Sequence, residues 1–378
     1  KPSGKKSLTA KILDEAGNVA EDGEEVMSFA FSKTMNSGFN YTAVSPDQTK
    51  MAVVGLLPYV KKTSAKVKVA VYDANLKEIS AAEVTIPGDD TKNKRLIVNV
   101  ANDGTVYLTK RTKTSKRGII LDVFQVSGSS IEQEYTFDLT EANRIHSYTH
   151  AVNEANELVI AGSYYEQKTL VVGNQPTNGI FYFTTKGKNE GVFRMNSFDA
   201  AITTLEAKKI LFSGETVFLA AEQLKEERID PPASAAGTSA AFDYNYTYTH
   251  GNEYVFGLGV DGRSKFQLEF EQNFTARNFH QQYQSAYYML GDKFTIVYND
   301  LANKYLEDGD TGYSSIMPLL VQVSTDGLMT SPVQFKNELK VPYAYTMFPS
   351  FSIQKSANEI IMQMRNGQST KFVTLKVD

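Results

Sequence analysis

The chain of 378 residues has no cysteine, no tryptophan and only four histidines. Without thiols there is no disulfide framework, no cysteine-ligated metal and no thiol nucleophile. No stretch reaches the about 20 apolar residues that a membrane-spanning helix requires, so no span is expected. Neither sign of charge dominates. Lys and Arg number 39 against 43 Asp and Glu, a net charge of −4, so nucleic acid and anionic membranes are not expected as partners. The densest basic run, Lys110 to Arg117, has five cations in eight residues and reads as a solvated interstrand loop. The polar start Lys1-Pro-Ser-Gly-Lys-Lys is what removal of a leader would leave. With the thiol-free composition, it suits an extracytoplasmic chain, whether periplasmic, secreted or surface-anchored.

What the chain does have is 21 Tyr and 22 Phe, residues that favour half-buried pleated surfaces, and a short pattern that recurs six times. A tight turn of small and acidic residues leads each time into an alternating apolar run. The copies are Asp47–Val54, Asp103–Thr109, Asn156–Ala161, Glu215–Ala220, Asp292–Tyr298 and Asn358–Met364. Strand-like segments flank each one. Tyr41–Val44, Leu96–Val100 and Tyr287–Leu290 precede copies. Lys66–Tyr72, Gly118–Phe124, Gly179–Thr184, Glu253–Leu258, Pro318–Val323 and Lys371–Lys376 follow. A second turn rich in Gly, Asn and Asp then leads to a fourth segment such as Ala82–Ile86 or Phe266–Phe270.

Four antiparallel strands repeated at intervals of tens of residues predict an all-β chain, a six-bladed β-propeller of four-stranded blades. We place the blades at about 31–88, 89–141, 142–200, 201–272, 273–336 and 337–378, in one domain covering 1–378. The last has only three strands, so a strand from residues 1–30, near Glu25–Phe29, is expected to close the ring and remove its open edges. A hairpin of that strand with Ser7–Leu13 is the variant, which would make seven blades.

The turn in Val44-Ser-Pro-Asp-Gln-Thr-Lys resembles the Ser-Pro-Asp-Gly turn of TolB-like and WD-repeat propellers. Asp103-Gly-Thr-Val-Tyr-Leu is similar to the turn of NHL-type and gluconolactonase-like propellers. Each likeness covers one blade. The Trp-Asp ending, the Asp-box and the kelch double glycine are absent, so the resemblance implies architecture and no specific activity.

The turns between first and second strands, and between third and fourth, are short. The connections on the other face are long: Leu56–Ala65, Lys110–Arg117, Ser163–Asn178, Glu222–Thr249 and Asn299–Ser314. Long loops on a rigid frame are where binding residues concentrate. The histidines and many tyrosines map to that face. Arg144, His146, His150, Tyr165, Tyr246, His250, Arg277, His280 and Tyr283 are therefore the expected ligand contacts, for a glycan, a peptide or a protein. The alternate tyrosines of Asp243–His250 equally suit packing beneath a long strand, and both readings stay open.

Other motifs point to no reaction. Gly257-Leu-Gly-Val-Asp-Gly262 matches a dinucleotide fingerprint, but the residues after it alternate as a strand, so its glycines belong to a hairpin. Glu307-Asp-Gly-Asp-Thr-Gly312 gathers carboxylates, which makes Asp308 and Asp310 candidate calcium ligands, although the EF-hand spacing fails. His146 and His150 have helical metal spacing in a segment that reads as extended. No cofactor is expected beyond that calcium. The chain thus reads as a non-enzymatic binding propeller; the alternative is a hydrolase or lactonase-like enzyme with its site at the central channel.

Overall fold

The computed structural model describes residues 4–13, 18–32, 36–89, 96–113, 118–139, 142–166, 176–186, 191–229, 245–278, 280–301, 316–335, 346–366 and 369–377. Among them the chain is all-β, in seven antiparallel sheets that follow one another along the sequence. The first is a hairpin, β1 (Gly4–Ala10) with β2 (Glu24–Phe31). The second joins β3 (Phe39–Val44), β4 (Lys50–Leu56), β5 (Ser64–Asp73) and β6 (Glu78–Asp89) in order. The third comprises β7 (Leu96–Val100), β8 (Val106–Lys113), β9 (Ile119–Ser127) and β10 (Ser130–Asp138). The fourth comprises β11 (Asn143–Val152), β12 (Leu158–Glu166), β13 (Pro176–Thr184) and β14 (Val192–Thr203). The fifth holds β15 (Leu205–Ser213), β16 (Thr216–Ile229), β17 (Asn245–Gly259) and β18 (Ser264–Phe270), with β19 (Phe274–Arg277) added beside β17. The sixth has β20 (Ala286–Leu290), β21 (Lys293–Leu301), β22 (Ile316–Val323) and β23 (Val333–Gln334). The seventh has β24 (Thr346–Ser356), β25 (Glu359–Asn366) and β26 (Ser369–Lys376). No helix among the described residues is long and apolar enough to cross a membrane.

The six recurring runs are the second strands, β4, β8, β12, β16, β21 and β25. Four of them, β4, β12, β16 and β21, are buried over five to seven successive residues. Alternation therefore fails there, because both faces of the strand are covered. Outer strands such as β10 and β18 alternate instead, with one face in water.

The chain divides into two compact units, one made of Lys1–Ile145, His150–Ile160 and Phe183–Phe193, the other of His146–Thr149, Ala161–Tyr182 and Arg194–Asp378. In the first, Val54, Leu56, Val69 and Ile86 pack against Leu96, Leu108 and Phe124. Its N-terminal strands pair with each other, and Val26, Met27 and Phe29 of β2 cover Val53, Ala70 and Tyr72. The Tyr72 hydroxyl donates to the Val26 carbonyl at 2.7 Å. The expected closing strand thus forms the hairpin variant, and β24–β26 stands at three strands among the described residues. Pairing with β1 satisfies the β2 backbone locally, at a smaller loop-closure cost than pairing across the chain.

In the second unit, Phe218, Ala220 and Val255 pack on Phe294, Ile296 and Leu319. Beyond them Tyr288, Val297 and Leu320 meet Ile360, Met362 and Leu375. Phe218 and Phe294 stack at 5.1 Å between ring centroids. Replacing the fully buried Phe218 by alanine is expected to cost about 3–5 kcal/mol, read as a lower urea midpoint. Phe372→Ala, at a ring 69% exposed, should move it by no more than about 0.5 kcal/mol.

Candidate functional site

Both ends of the long connection expected over Glu222–Thr249 are strand. β16 runs on to Ile229 and β17 starts at Asn245, and the two pair as a ribbon beyond the sheet. The charged run Leu224–Arg228 looks like a loop in sequence, but pairing with β17 supplies its backbone bonds. β19 then pairs with β17 from Thr247 to His250. Asn278 extends that ladder: its N–H donates to the Tyr246 carbonyl at 2.8 Å, and its side-chain oxygen accepts from the Tyr246 N–H at 2.8 Å. With φ at 61°, a left-handed value asparagine tolerates, Asn278 turns the chain toward His280.

The register shifts between Glu222 and Leu224, a bulge of the kind that re-aims side chains. At this irregularity the Leu224 N–H donates to the Thr204 carbonyl at 3.2 Å, and the Gln223 amide donates to the Thr203 carbonyl at 3.3 Å. Thr204 has φ of 50°, a strained conformation for a β-branched residue that costs on the order of 1–3 kcal/mol. These bonds hold the turn into β15, which carries Glu206 and Lys208.

A continuous polar chain results. Lys208 Nζ donates to Glu206 Oε2 at 3.2 Å and to Glu222 Oε2 at 3.0 Å. The other oxygen of Glu222 bonds His250 Nδ1. His250 Nε2 lies 3.0 Å from His280 Nδ1. The His280 ring stacks on Tyr248, with centroids 3.7 Å apart and planes within 3°. Glu222 and His250 are buried and His280 is half-buried.

Glu253, buried as well, is the direct cross-strand partner of Glu222. It accepts from the hydroxyls of Ser285 and Tyr287, the latter at 2.7 Å. The two carboxyls ionise differently. Burial pushes Glu253 up to about 8, with the Glu222 charge adding to it. Burial also works against ionisation of Glu222, but the bond from His250 and the Lys208 charge outweigh it and hold the carboxyl below its usual range. Burial would lower Lys208, yet the charges of Glu222 and Glu206 raise it. His280 is lowered, first by burial and then by His250.

Beside this network lies a cleft of about 350 Å³, lined by Lys208, Lys209, Glu222, Gln284, Ser285, Tyr287, Tyr288, Ser350 and Ser352 among others. Its lining comes mainly from the first strands β15, β20 and β24 and the segment leading into β20. No group of three or more His, Asp or Glu among the described residues is arranged to hold a metal ion.

Of the residues expected from sequence, the second unit brings His250, His280, Tyr283 and Tyr246 together. Tyr283 stacks on Phe274 at 4.7 Å and lies 6.2 Å from His250; Tyr246 lies 6.2 Å from Tyr248. Arg277 is exposed and pairs through its backbone with Thr247. His146 meets Tyr165 edge-on at 6.4 Å, and burial lowers its pKa against the opposing charge of Glu206. Arg144 and His150 belong to the first unit. Arg144 is buried and donates to the Asn143 carbonyl at 2.7 Å, and His150 is half-buried in β11. Asp308 and Asp310 lie outside the described residues, as does Tyr244 of the alternating tyrosine run. Sequence reasoning missed Lys208, Glu222, Glu253, Ser285 and Tyr287. The available signal was a glutamate, Glu222, directly after the buried run Thr216–Ala221.

No family model matches the chain, and no curated protein sequence matches it. Among solved structures, it is similar to the β-propeller domain of the Trilobed protease from Pyrococcus furiosus, at 9% identity over 98% of this chain and 88% of that one, TM-score 0.40. It is similar to a periplasmic gluconolactonase of Pseudomonas aeruginosa at 14% identity, covering 98% of this chain and 92% of that one, TM-score 0.36. Hydrazine synthase of Kuenenia stuttgartiensis matches at 13% identity over 88% and 78% of the two chains, TM-score 0.39. At such identities no activity passes from these proteins to this chain.

The ionisation of Glu253 makes a stability prediction. Its folded pKa of about 8 lies above the unfolded carboxyl value, so the fold binds more protons than the unfolded chain in between. That contribution to stability is full below the unfolded value and is lost as pH rises through about 8. Glu253→Gln should therefore melt higher than the parent at pH 9 and within a degree or so of it at pH 4, as followed by circular dichroism.

Proposed function

We propose that this chain is a ligand-binding β-propeller whose second unit takes a neutral polyhydroxylated ligand, a glycan, in the cleft beside Lys208. The succession of up-and-down antiparallel sheets supports the propeller. The hairpin β1–β2, packed as its own layer on β4 and β5, favours the seven-bladed count over six. In such an architecture the first strands line the central channel, and β15, β20 and β24 are first strands.

The observation that carries the ligand class is the cleft lining. It sets five hydroxyls (Ser285, Tyr287, Tyr288, Ser350, Ser352), one amide and two lysines around about 350 Å³, within the range of small-ligand pockets. Each of these hydroxyls donates within the protein, Ser285 and Tyr287 to Glu253, Ser350 to the Gln281 carbonyl at 2.9 Å, Ser352 to the Pro349 carbonyl and Tyr288 to Ser352, so what they offer a ligand is lone pairs that accept from sugar hydroxyls. The Lys208 charge is answered by Glu206 and Glu222, which leaves the exposed Lys209 as the cleft's other cation. A hydrolase is the second reading, favoured by the opposite ionisation of Glu222 and Glu253, a pattern that marks acid–base sites.

Titration calorimetry against neutral and uronate oligosaccharides tests the binding reading. A neutral saccharide is expected to bind more tightly than its acidic counterpart. Ser350→Phe, which fills the cleft from β24, should weaken binding at least about tenfold, the 1.4 kcal/mol step. Failure of every neutral saccharide to bind would sink the proposal.

A further inference from the structure

Four ionisable side chains, Lys208, Glu222, His250 and Glu253, are held in one small region of the second unit. Apolar residues of similar volume are often at least as stabilising as buried ion pairs, so this arrangement is a poor device for stability alone. The network also has an outlet. Lys208 and Glu222 line the cleft, His250 is buried, and His280, outside the cleft lining, is half-buried.

Proton positions along the chain follow from its partners. An ionised carboxylate only accepts, so His250 Nδ1–H donates to Glu222. Nε2 of a neutral His250 can then only accept, and it takes the hydrogen of His280 Nδ1 across 3.0 Å. That leaves His280 Nε2 as a bare lone pair. We infer that Glu222, His250 and His280 form a proton relay ending at His280 Nε2, and that this nitrogen is the general base for hydrolysis of a carboxylic ester.

In the first step Nε2 takes a proton from a water molecule as the water oxygen bonds to the acyl carbon. The carbonyl π pair moves onto its oxygen. The Nδ1 proton of His280 passes to His250 Nε2, which puts the imidazolium beside the Glu222 carboxylate. Collapse re-forms the carbonyl and breaks the bond to the alcohol oxygen. The departing alkoxide takes the proton back from Nε2 as the relay reverses, and acid plus alcohol leave. Glu222 and His250 are positioning residues; they fix the tautomer and steady the charge. Acyl carbons suit this base, because an imidazole titrating near neutrality is enough to activate water toward them. Burial holds His280 below the usual histidine value, which favours its unprotonated form at pH 7. The inference does not depend on the glycan reading, and failure of that reading leaves the following test unchanged.

The probe is p-nitrophenyl acetate at pH 7, followed well past one equivalent so that acylation of surface lysines is separated from turnover. His280→Gln should lower kcat about a hundredfold or more with KM little changed, and Glu222→Gln should lower kcat at least as much, since a wrong tautomer costs a catalytic triad about 10⁴. Nitrogen-15 spectra of the parent protein give a readout free of activity: both His250 and His280 should carry their proton on Nδ1, and Glu222→Gln should disturb the His250 tautomer. Turnover by the parent no faster than by His280→Gln overturns the inference. So does a proton found on His280 Nε2 at pH 7.

Discussion

A carboxylate on an inner strand has to be answered by cations or protons, and the second unit is arranged around that requirement. Glu222 follows six residues of β16 that are buried without interruption. Left alone there, its charge would be expensive, and removing one partner from such a pair typically costs about 3–5 kcal/mol. The answers come from three directions: Lys208 from the preceding strand, His250 from the following one, and the neutral form of Glu253 directly across the ladder. Each answer has its own structural condition. Lys208 needs the strained turn at Thr204, and His250 needs the register shift after Glu222.

The repeated sheets supply the rigidity that makes this possible. Second strands buried on both faces have little freedom to slide, because a one-residue slip would turn every side chain over. Aromatic stacking between sheets, as in Phe218 on Phe294, fixes the spacing further. Where the fifth sheet departs from the common plan, through a bulge, a ribbon and an added strand, the titratable groups collect. Regularity serves as frame, and the departures from it carry the chemistry.

Much of that frame is legible in the amino-acid order. The six turn-and-run copies all fall on second strands, and in β4, β12, β16 and β21 burial on both faces leaves an unbroken run. The pairing of Glu25–Phe29 was not legible in the same way. Its apolar residues need a cover, but Val26, Met27 and Phe29 are satisfied by whichever layer supplies it, and the hairpin with β1 is the nearer partner. Of the site, the region of Tyr246, His250, His280 and Tyr283 could be read from loop length and residue type. Lys208, Glu222 and Glu253 could not, since a glutamate after an apolar run looks like a strand that has reached water. Only cross-strand register reveals that the strand continues and the charge is inside.

The bulge after Glu222 also divides the site mechanically. Glu222 belongs to the regular ladder of the sheet, whereas His250 belongs to the ribbon that extends beyond it. The bond from His250 Nδ1 to the Glu222 carboxylate therefore crosses a joint between sheet and ribbon, alongside those of Leu224 to Thr204 and Asn252 to Gln223. A tilt of the ribbon would change the distance between an imidazole on one side of that joint and a carboxylate on the other.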